Sequence, residues 1–414
     1  MSVPRVPIAP PVLEWALART GLSPADLERR FPKVEKWKSG ELRPTLSQAK
    51  LLAQTAHIPF GRLLLDEPSG GELDVADFRT VRNAAIESMS SDLEETLRAN
   101  QDRLAWYSEF AIEEGVDPPE IFGSVAPNTP AALAASEIRE KLGLDTSGPV
   151  PGPDRVRELA ILIERSGVLV ARNSIVKDST RRPLSVEEFR GFTIADDGFA
   201  LVFVNTRDAK SAQLFSLAHE LGHVVLGQPG ISDHSEQLEL ERWCNRFASE
   251  FLAPAADVVS LYDGNDVLAS VSKLSTRFGL SREAMLWRLV ELELVTRAKA
   301  SDVVNKVKSA GSGREDGAGG APPRHILVRS RVGGLFFDTV TRAVTNGQIP
   351  EREAARYLGA KNHESLTKLL DVHHPEAVNW KRYIRLTFSQ RSGSSWKESS
   401  SAQTSTSTRK CTPS

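Results

Sequence analysis

The sequence predicts an α+β fold that is predominantly helical, and three observations lead to this prediction. Several segments of the 414-residue chain repeat apolar residues at helical spacing, among them residues 154–166 and 267–294. The apolar run Val168–Ala171 directly follows the first of these segments and has the composition of a buried strand. A further helical pattern, around residue 219, carries two closely spaced histidines. Helices on either side of a small sheet indicate an α+β core.

The composition is that of a globular protein with an ordinary core. Hydrophobic residues make up 40% of the chain, and a chain of this length usually forms two or three domains. The 52 Lys and Arg residues nearly balance the 54 Asp and Glu residues, so the net charge of −2 favours neither a nucleic-acid coat protein nor a membrane-surface protein. Two cysteines form no disulfide framework, and the sequence shows neither an apolar run of membrane-spanning length nor a signal peptide. We therefore expect a cytoplasmic protein.

The N-terminal part, residues 1–68, is predicted to be a small helical module. Helices are expected over 12–20 and 46–55, and Ser23 followed by Pro24 marks the start of another helix. Residues 1–66 contain ten Lys or Arg against six Asp or Glu. The candidate phosphate contacts are Lys33, Lys36, Lys38 and Arg43.

The segment Trp37–Thr45 resembles the end of a repressor-type (XRE) helix-turn-helix domain. This resemblance implies binding to operator DNA. The stretch from Leu27 to Trp37 is about four residues shorter than the usual repressor pattern, which removes part of the helix that normally reaches base edges. A helical bundle that contacts proteins therefore stays open as the alternative.

The rest of the chain divides at changes of composition. Residues 69–128 are expected to form a helical connector, and a helix beginning near Thr129 opens the central region 129–306. Residues 307–324 form a Gly-rich linker, residues 325–386 a small helical module and residues 387–414 a Ser/Thr-rich disordered tail. Within the C-terminal module, residues 349–359 open either a second helix-turn-helix or a plain packing cap, and we favour the cap.

The motif H-E-x-x-H at residues 219–223 is the most informative feature of the chain. His219 and His223 are four residues apart, so both lie on one face of a helix and can bind one metal ion. Glu220 lies beside them, where it can take a proton from water. Two histidines, a carboxylate and an open position are typical of catalytic zinc. The apolar stripe of the helix lies on the opposite side and consists of Leu214, Leu217, Leu221 and Val225.

The third ligand is expected from the next helical segment, residues 239–254. Glu241 borders the apolar stripe of this segment, and Asn245 follows one turn later on the same side. Four other side chains are alternatives that spacing alone does not exclude, namely Glu236, Glu239, Asp233 and His234.

Residues 217–223 and 241–248 together resemble the ImmA/IrrE family of zinc metallopeptidases. The resemblance implies zinc ligands at His219, His223 and Glu241, a catalytic Glu220, and a supporting position for Asn245. Residues 189–194 and 200–205 resemble the two strands that precede the zinc helix in this family, which indicates a zincin-like core. We expect the second of these strands to be an edge strand that pairs with an extended substrate.

The functional expectation is a cytoplasmic regulatory zinc endopeptidase joined to a DNA-binding-like module, which cleaves a repressor or partner protein to control transcription. The alternative is an antitoxin or immunity protein that binds a toxin and autoregulates its operon. One Zn²⁺ per chain is the expected cofactor. The candidate partners are a protein substrate or toxin, operator DNA and a second copy of the chain, with no membrane among them.

Overall fold

The structure is a computed structural model that describes residues 4–56, 58, 60–68, 89–227, 234–310 and 323–371, without the side chains of 234–238 and 308–310. Most of the expected linker, the expected tail and the first part of the expected connector therefore lie outside the described residues. The described parts are mostly helical with one small sheet, which confirms the predicted α+β class.

Four helices and a 3-10 turn form the N-terminal part around a core of their own. Ser23 caps the second helix by accepting a hydrogen bond from the Asp26 N–H, as the sequence predicts. Thr45 and Gln48 form a capping box at the start of the fourth helix. Trp37 is buried in the core, so it is not available to a nucleic acid. The elements are α1 (Pro10–Arg19), α2 (Pro24–Arg30), α3 (Val34–Lys38), α4 (Leu46–Thr55) and the 3-10 helix Phe60–Leu64.

Among the residues that the structure describes, three helices lead from there to a sheet of three strands. The helices are α5 (Ser91–Glu113), α6 (Ala131–Lys141) and α7 (Arg155–Arg165), and the strands are β1 (Leu169–Asn173), β2 (Gly191–Asp196) and β3 (Phe199–Asn205). Strand β3 lies in the middle, parallel to β1 and antiparallel to β2. The expectation that residues 200–205 form an edge strand is therefore wrong. Strand β1 pairs with the edge of β3 that β2 leaves open, and β3 therefore lies between the two other strands.

The two faces of the sheet pack against different helices. Ala200, Val202 and Val204 belong to the main core, which also contains the buried residues of the helix that follows β3. On the other face, the rings of Phe199 and Tyr107 of α5 meet edge to face, with centroids 5.8 Å apart. Successive side chains of β3 point to opposite faces of the sheet, and both faces are covered by helices. All seven residues of β3 are therefore buried.

In the described residues, ten helices follow the sheet. They are α8 (Lys210–Leu226), α9 (His234–Leu252), α10 (Ala255–Leu261), α11 (Val267–Phe278), α12 (Arg282–Glu291), α13 (Arg297–Ala310), α14 (Arg324–Val332), α15 (Gly334–Thr345), α16 (Glu351–Leu358) and α17 (His363–Asp371). Helix α8 packs on the sheet and on α9. None of the helices in the described residues is long and apolar enough to cross a membrane.

Candidate metal centre

Helix α8 carries the H-E-x-x-H motif and is enclosed on nearly every side. Eleven of its seventeen residues are buried, including Glu220 and His223. Strands β2 and β3 lie against one side of the helix and α9 against another. The apolar stripe predicted from the sequence anchors α8 in the core, while the histidines point toward α9. The helix ends at Gly227 in the left-handed conformation, as the sequence indicates.

A close approach between α8 and α9 brings the third side chain into range. A Cβ atom on Gly222 would lie 3.2–3.4 Å from the Sγ, Cβ and Cα atoms of Cys244. The helices are therefore in contact at this point, and a larger residue at 222 would push them apart. Glu241 lies nearly one turn before Cys244 on α9, so this contact places its carboxylate beside the histidines.

His219, His223 and Glu241 form the one metal-type cluster found among the described residues. The Nε2 atoms of the two histidines are 3.3 Å apart, and the Glu241 carboxylate lies 3.2 Å from Nε2 of His219 and 3.5 Å from Nε2 of His223. Two nitrogen ligands at about 2.0–2.1 Å from a tetrahedral zinc ion are about 3.3–3.4 Å apart. The spacing and the donor atoms therefore fit one zinc ion.

The protonation of His219 supports this fit. Its Nδ1 atom lies 3.1 Å from Oδ1 of Asn245, and because an amide oxygen only accepts, Nδ1 carries the proton. With Nδ1 donating to Asn245, Nε2 can lose its proton and present its lone pair to a metal ion, which is the form of the ring that binds one. The Nδ1 atom of His223 is buried without a hydrogen-bond partner in the described part of the chain.

The electrostatics of the cluster favour a cation. Burial alone would raise the pKa of Glu241, but the hydrogen bonds and charges of His219 and His223 outweigh it and hold that pKa far below its ordinary value. Burial alone would lower the pKa of His219, but Glu241 and Glu220 together raise it. Burial and the charges of the same two carboxylates raise the pKa of the Cys244 thiol, so this thiol is neutral beside the cluster.

Glu220 is held by strand β2. Thr193 Oγ1 donates a hydrogen bond to Oε2 of Glu220 over 2.8 Å. A Cβ atom on Gly191 would lie 3.2 Å from both Cγ and Oε1 of Glu220, so glycine leaves the space that this carboxylate occupies. Glu220 itself is only 7% exposed. Neither Thr193 nor Gly191 is recognisable as a site residue from the sequence, because only the sheet register shows that they share the face toward α8.

The other sequence candidates fall into three groups. Asn245 contacts a histidine of the cluster, whereas Glu239 is exposed and takes no part in it. Asp233 and the side chains of His234 and Glu236 lie outside the described residues. The candidate DNA contacts are all exposed on the N-terminal module, far along the chain from α8, and they are Lys33, Lys36, Lys38 and Arg43.

Replacing Glu241 by Ala is expected to weaken zinc binding strongly. Loss of a residue that hydrogen-bonds to a metal ligand typically lowers metal affinity about 10–100-fold, and loss of a ligand itself should lower it more. Zinc affinity is measured by competition with a chelating dye. The matched control is Glu239→Ala, which removes an exposed carboxylate from the same helix. Equal affinities in the two variants would mean that another carboxylate completes the site.

Comparison with known families agrees with this geometry. Residues 163–290 match the model of the Peptidase_M78 family, described as an IrrE N-terminal-like domain. The match covers 128 of the 414 residues and runs from the end of α7 through the sheet and the cluster into α12. No curated protein gives a significant sequence match. The segment that carries His219, Glu220, His223 and Glu241 is thus similar to the Peptidase_M78 domain, which supports the resemblance to the ImmA/IrrE family of peptidases.

Proposed function

We propose that the chain is a zinc-dependent endopeptidase that cleaves a regulatory protein within an extended segment. The observation that carries the proposal is the convergence of His219, His223 and Glu241, with Glu220 held beside them by Thr193. Zinc bound by the three side chains would act as a Lewis acid on the scissile carbonyl and lower the pKa of water.

Glu220 is the proton carrier in this proposal. Its carboxylate takes a proton from the attacking water as the new C–O bond forms, and it passes that proton to the amide nitrogen as the C–N bond breaks. Thr193 keeps Oε2 in place, so the carboxylate does not have to reorganise between the two transfers. Asn245 fixes the ring of His219 in the same way.

Strand β2 is the part of the sheet suited to align a substrate. The Asn205 N–H donates to the Arg190 carbonyl. In an antiparallel pair only every second residue forms hydrogen bonds with the partner strand. The N–H and C=O groups of Gly191, Thr193 and Ala195 therefore point away from β3. An extended peptide could pair with them as an added strand. The side chain of Thr193 reaches Glu220, so this pairing would place the peptide next to the proposed base.

The depth of the site favours flexible targets. Glu220 and His223 are only 7% and 3% exposed, so a folded protein surface cannot reach them, whereas an extended linker can. A linker between two domains of a repressor is an extended segment of this kind. Its cleavage would separate the domain that binds DNA from the domain that forms the dimer. We therefore place repressor-like or partner proteins as the substrate class.

The proposal is tested by labelling new protein N-termini in cells that produce the wild-type chain or the Glu220→Gln variant. A small set of cleavages that requires the wild-type chain is expected. Equal sets of N-termini in the two cultures, after zinc binding has been established, would contradict the peptidase function.

The N-terminal module is proposed to contact DNA phosphates and not bases. Helix α3 has five residues, about one and a half turns, which is too short to lie along a groove as a recognition helix. Lys36 and Lys38 are exposed and pair with Glu41 and Glu35 over 2.8 and 2.7 Å, so phosphates can compete for them.

Changing Lys33, Lys36 and Lys38 together to Ala is expected to weaken binding to all DNA sequences alike. Each lost phosphate contact should reduce the slope of log affinity against log salt by about 0.9. Gel shifts at several salt concentrations measure both effects. The matched control replaces three exposed lysines outside the N-terminal module by Ala and so removes the same total charge. These residues are Lys273, Lys299 and Lys361. Similar losses in both triple variants would show an effect of net charge alone.

A further inference from the structure

A cavity of about 610 Å³ lies away from the metal cluster. Its described lining comes from the N-terminal helices α1 and α4, from α5, from the loop after β1, and from α14 and α16. None of the described residues that line it belongs to α8 or α9. The cavity is therefore separate from the proposed catalytic site, and it joins segments that are far apart in the sequence.

The charges around the cavity are unequal. The described residues that line it include seven basic side chains and four acidic ones. Three of the arginines share a single carboxylate, since Arg19, Arg62 and Arg98 all contact Glu94. The Nη2 atom of Arg98 lies 2.9 Å from Glu94, and the Nη1 atom of Arg62 lies 3.5 Å from it.

Two donors in this group have no acceptor in the described part of the chain. The Nε atoms of Arg19 and Arg98 are buried and have no hydrogen-bond partner among the described residues. Burial of Arg62 and the nearby charge of Arg98 lower the pKa of Arg62, although Glu94 acts in the opposite direction. Buried donors of this kind normally have partners, so the cluster lacks negative charge.

Arg103 lines the same cavity. Its Nη1 atom donates to Oδ1 of Asn100 over 2.9 Å, and in the described part of the chain no carboxylate forms an ion pair with it. Burial lowers its pKa to about 10, so it is still charged at neutral pH. Its side chain nevertheless keeps some accessible surface, as expected for a group that faces a cavity. Because Arg103 forms no ion pair with a carboxylate of the described residues, its guanidinium can bind an anionic ligand in the cavity.

Part of the remaining wall is apolar and includes Ile58, Val328, Val332 and Leu358. Guanidinium groups bind phosphate through paired N–H donors, and an apolar wall accepts the organic part of a ligand. Cavities of about 300–1,000 Å³ are typical for small-molecule ligands. We propose that this cavity binds a small organic phosphate of nucleotide size, with the phosphates at Arg98 and Arg103.

Calorimetric titration of the full chain with ATP, tripolyphosphate and adenosine tests the proposal. ATP is expected to bind, tripolyphosphate to bind at least several-fold more weakly because it lacks the organic part, and adenosine not to bind. Absence of ATP binding at millimolar concentration would overturn the proposal, and so would equal affinities for ATP and tripolyphosphate.

The variant Arg103→Met separates a ligand-binding role from a structural one. It should weaken ATP binding at least about tenfold, the loss expected for one charged hydrogen bond. Without ligand its unfolding temperature should stay close to that of the wild-type chain, because removal of a partly buried charge offsets the lost hydrogen bond to Asn100.

The matched control is Arg29→Met, which changes an exposed arginine on α2 and should alter neither property. Arg98→Met is the second variant, because Arg98 is the other proposed phosphate contact in the cavity wall, and it carries the test if Arg103→Met does not fold. Unchanged ATP affinity in the folded cavity variants would place any ATP binding elsewhere, including at bound zinc, and would overturn the proposal.

Discussion

Replacing Glu220 by Gln is expected to abolish substrate cleavage while the chain stays folded and keeps its zinc. Gln has the shape of Glu, and its amide oxygen can still accept the hydrogen bond from Thr193 Oγ1. An amide cannot take a proton from water, so the loss should be about three orders of magnitude, within the range of general-base catalysis. The measurement is the rate of cleavage of a substrate identified from the new N-termini, with zinc content determined on the same sample.

The matched control for this variant is Glu239→Gln, which makes the same chemical change at an exposed position on α9. It should cleave at the wild-type rate. If Glu220→Gln restores the full phenotype of a strain that lacks the protein, then the chain acts by binding alone. That result would favour the antitoxin or immunity function over the peptidase.

Replacing His223 by Ala is expected to remove zinc and, with it, the stabilisation that zinc gives. A ligand that binds only the folded state raises stability by RT ln(1 + [L]/Kd), about 4 kcal/mol when free zinc is about 1,000-fold above Kd. Zinc should therefore raise the unfolding temperature of the wild-type chain and leave that of the variant unchanged. Differential scanning calorimetry of metal-free protein, with and without added zinc, measures both.

His363→Ala is the control for the histidine variant. His363 is exposed on α17 and pairs with Glu351, so its loss should leave the zinc response intact. His219→Ala should behave like His223→Ala, because both Nε2 atoms belong to the cluster. A full zinc response in either cluster variant would mean that zinc binds elsewhere in the chain.

Local sequence signals were sufficient for the helices that carry the site. The spacing of Leu214, Leu217, Leu221 and Val225 predicted a helix with one buried stripe, and α8 has this stripe. Ser23 followed by Pro24 predicted the start of a helix, and Ser23 caps α2. These features depend on residues within a few positions of each other.

Features that depend on distant segments were not predictable in the same way. The third member of the cluster could not be chosen from spacing, because Glu241 reaches the histidines only through the contact of Gly222 with Cys244. The central position of β3 follows from where β1 docks, which no pattern within residues 200–205 contains. The arginine-rich cavity draws on segments from α1 to α16, and only the folded chain brings them together.

The most direct test of the central claim is the zinc content of the purified full-length chain. The protein is incubated with zinc, passed through a desalting column and measured by inductively coupled plasma mass spectrometry. A tetrahedral site built from His219, His223 and Glu241 predicts about one zinc per chain. A folded chain that retains no zinc after this treatment would contradict the account.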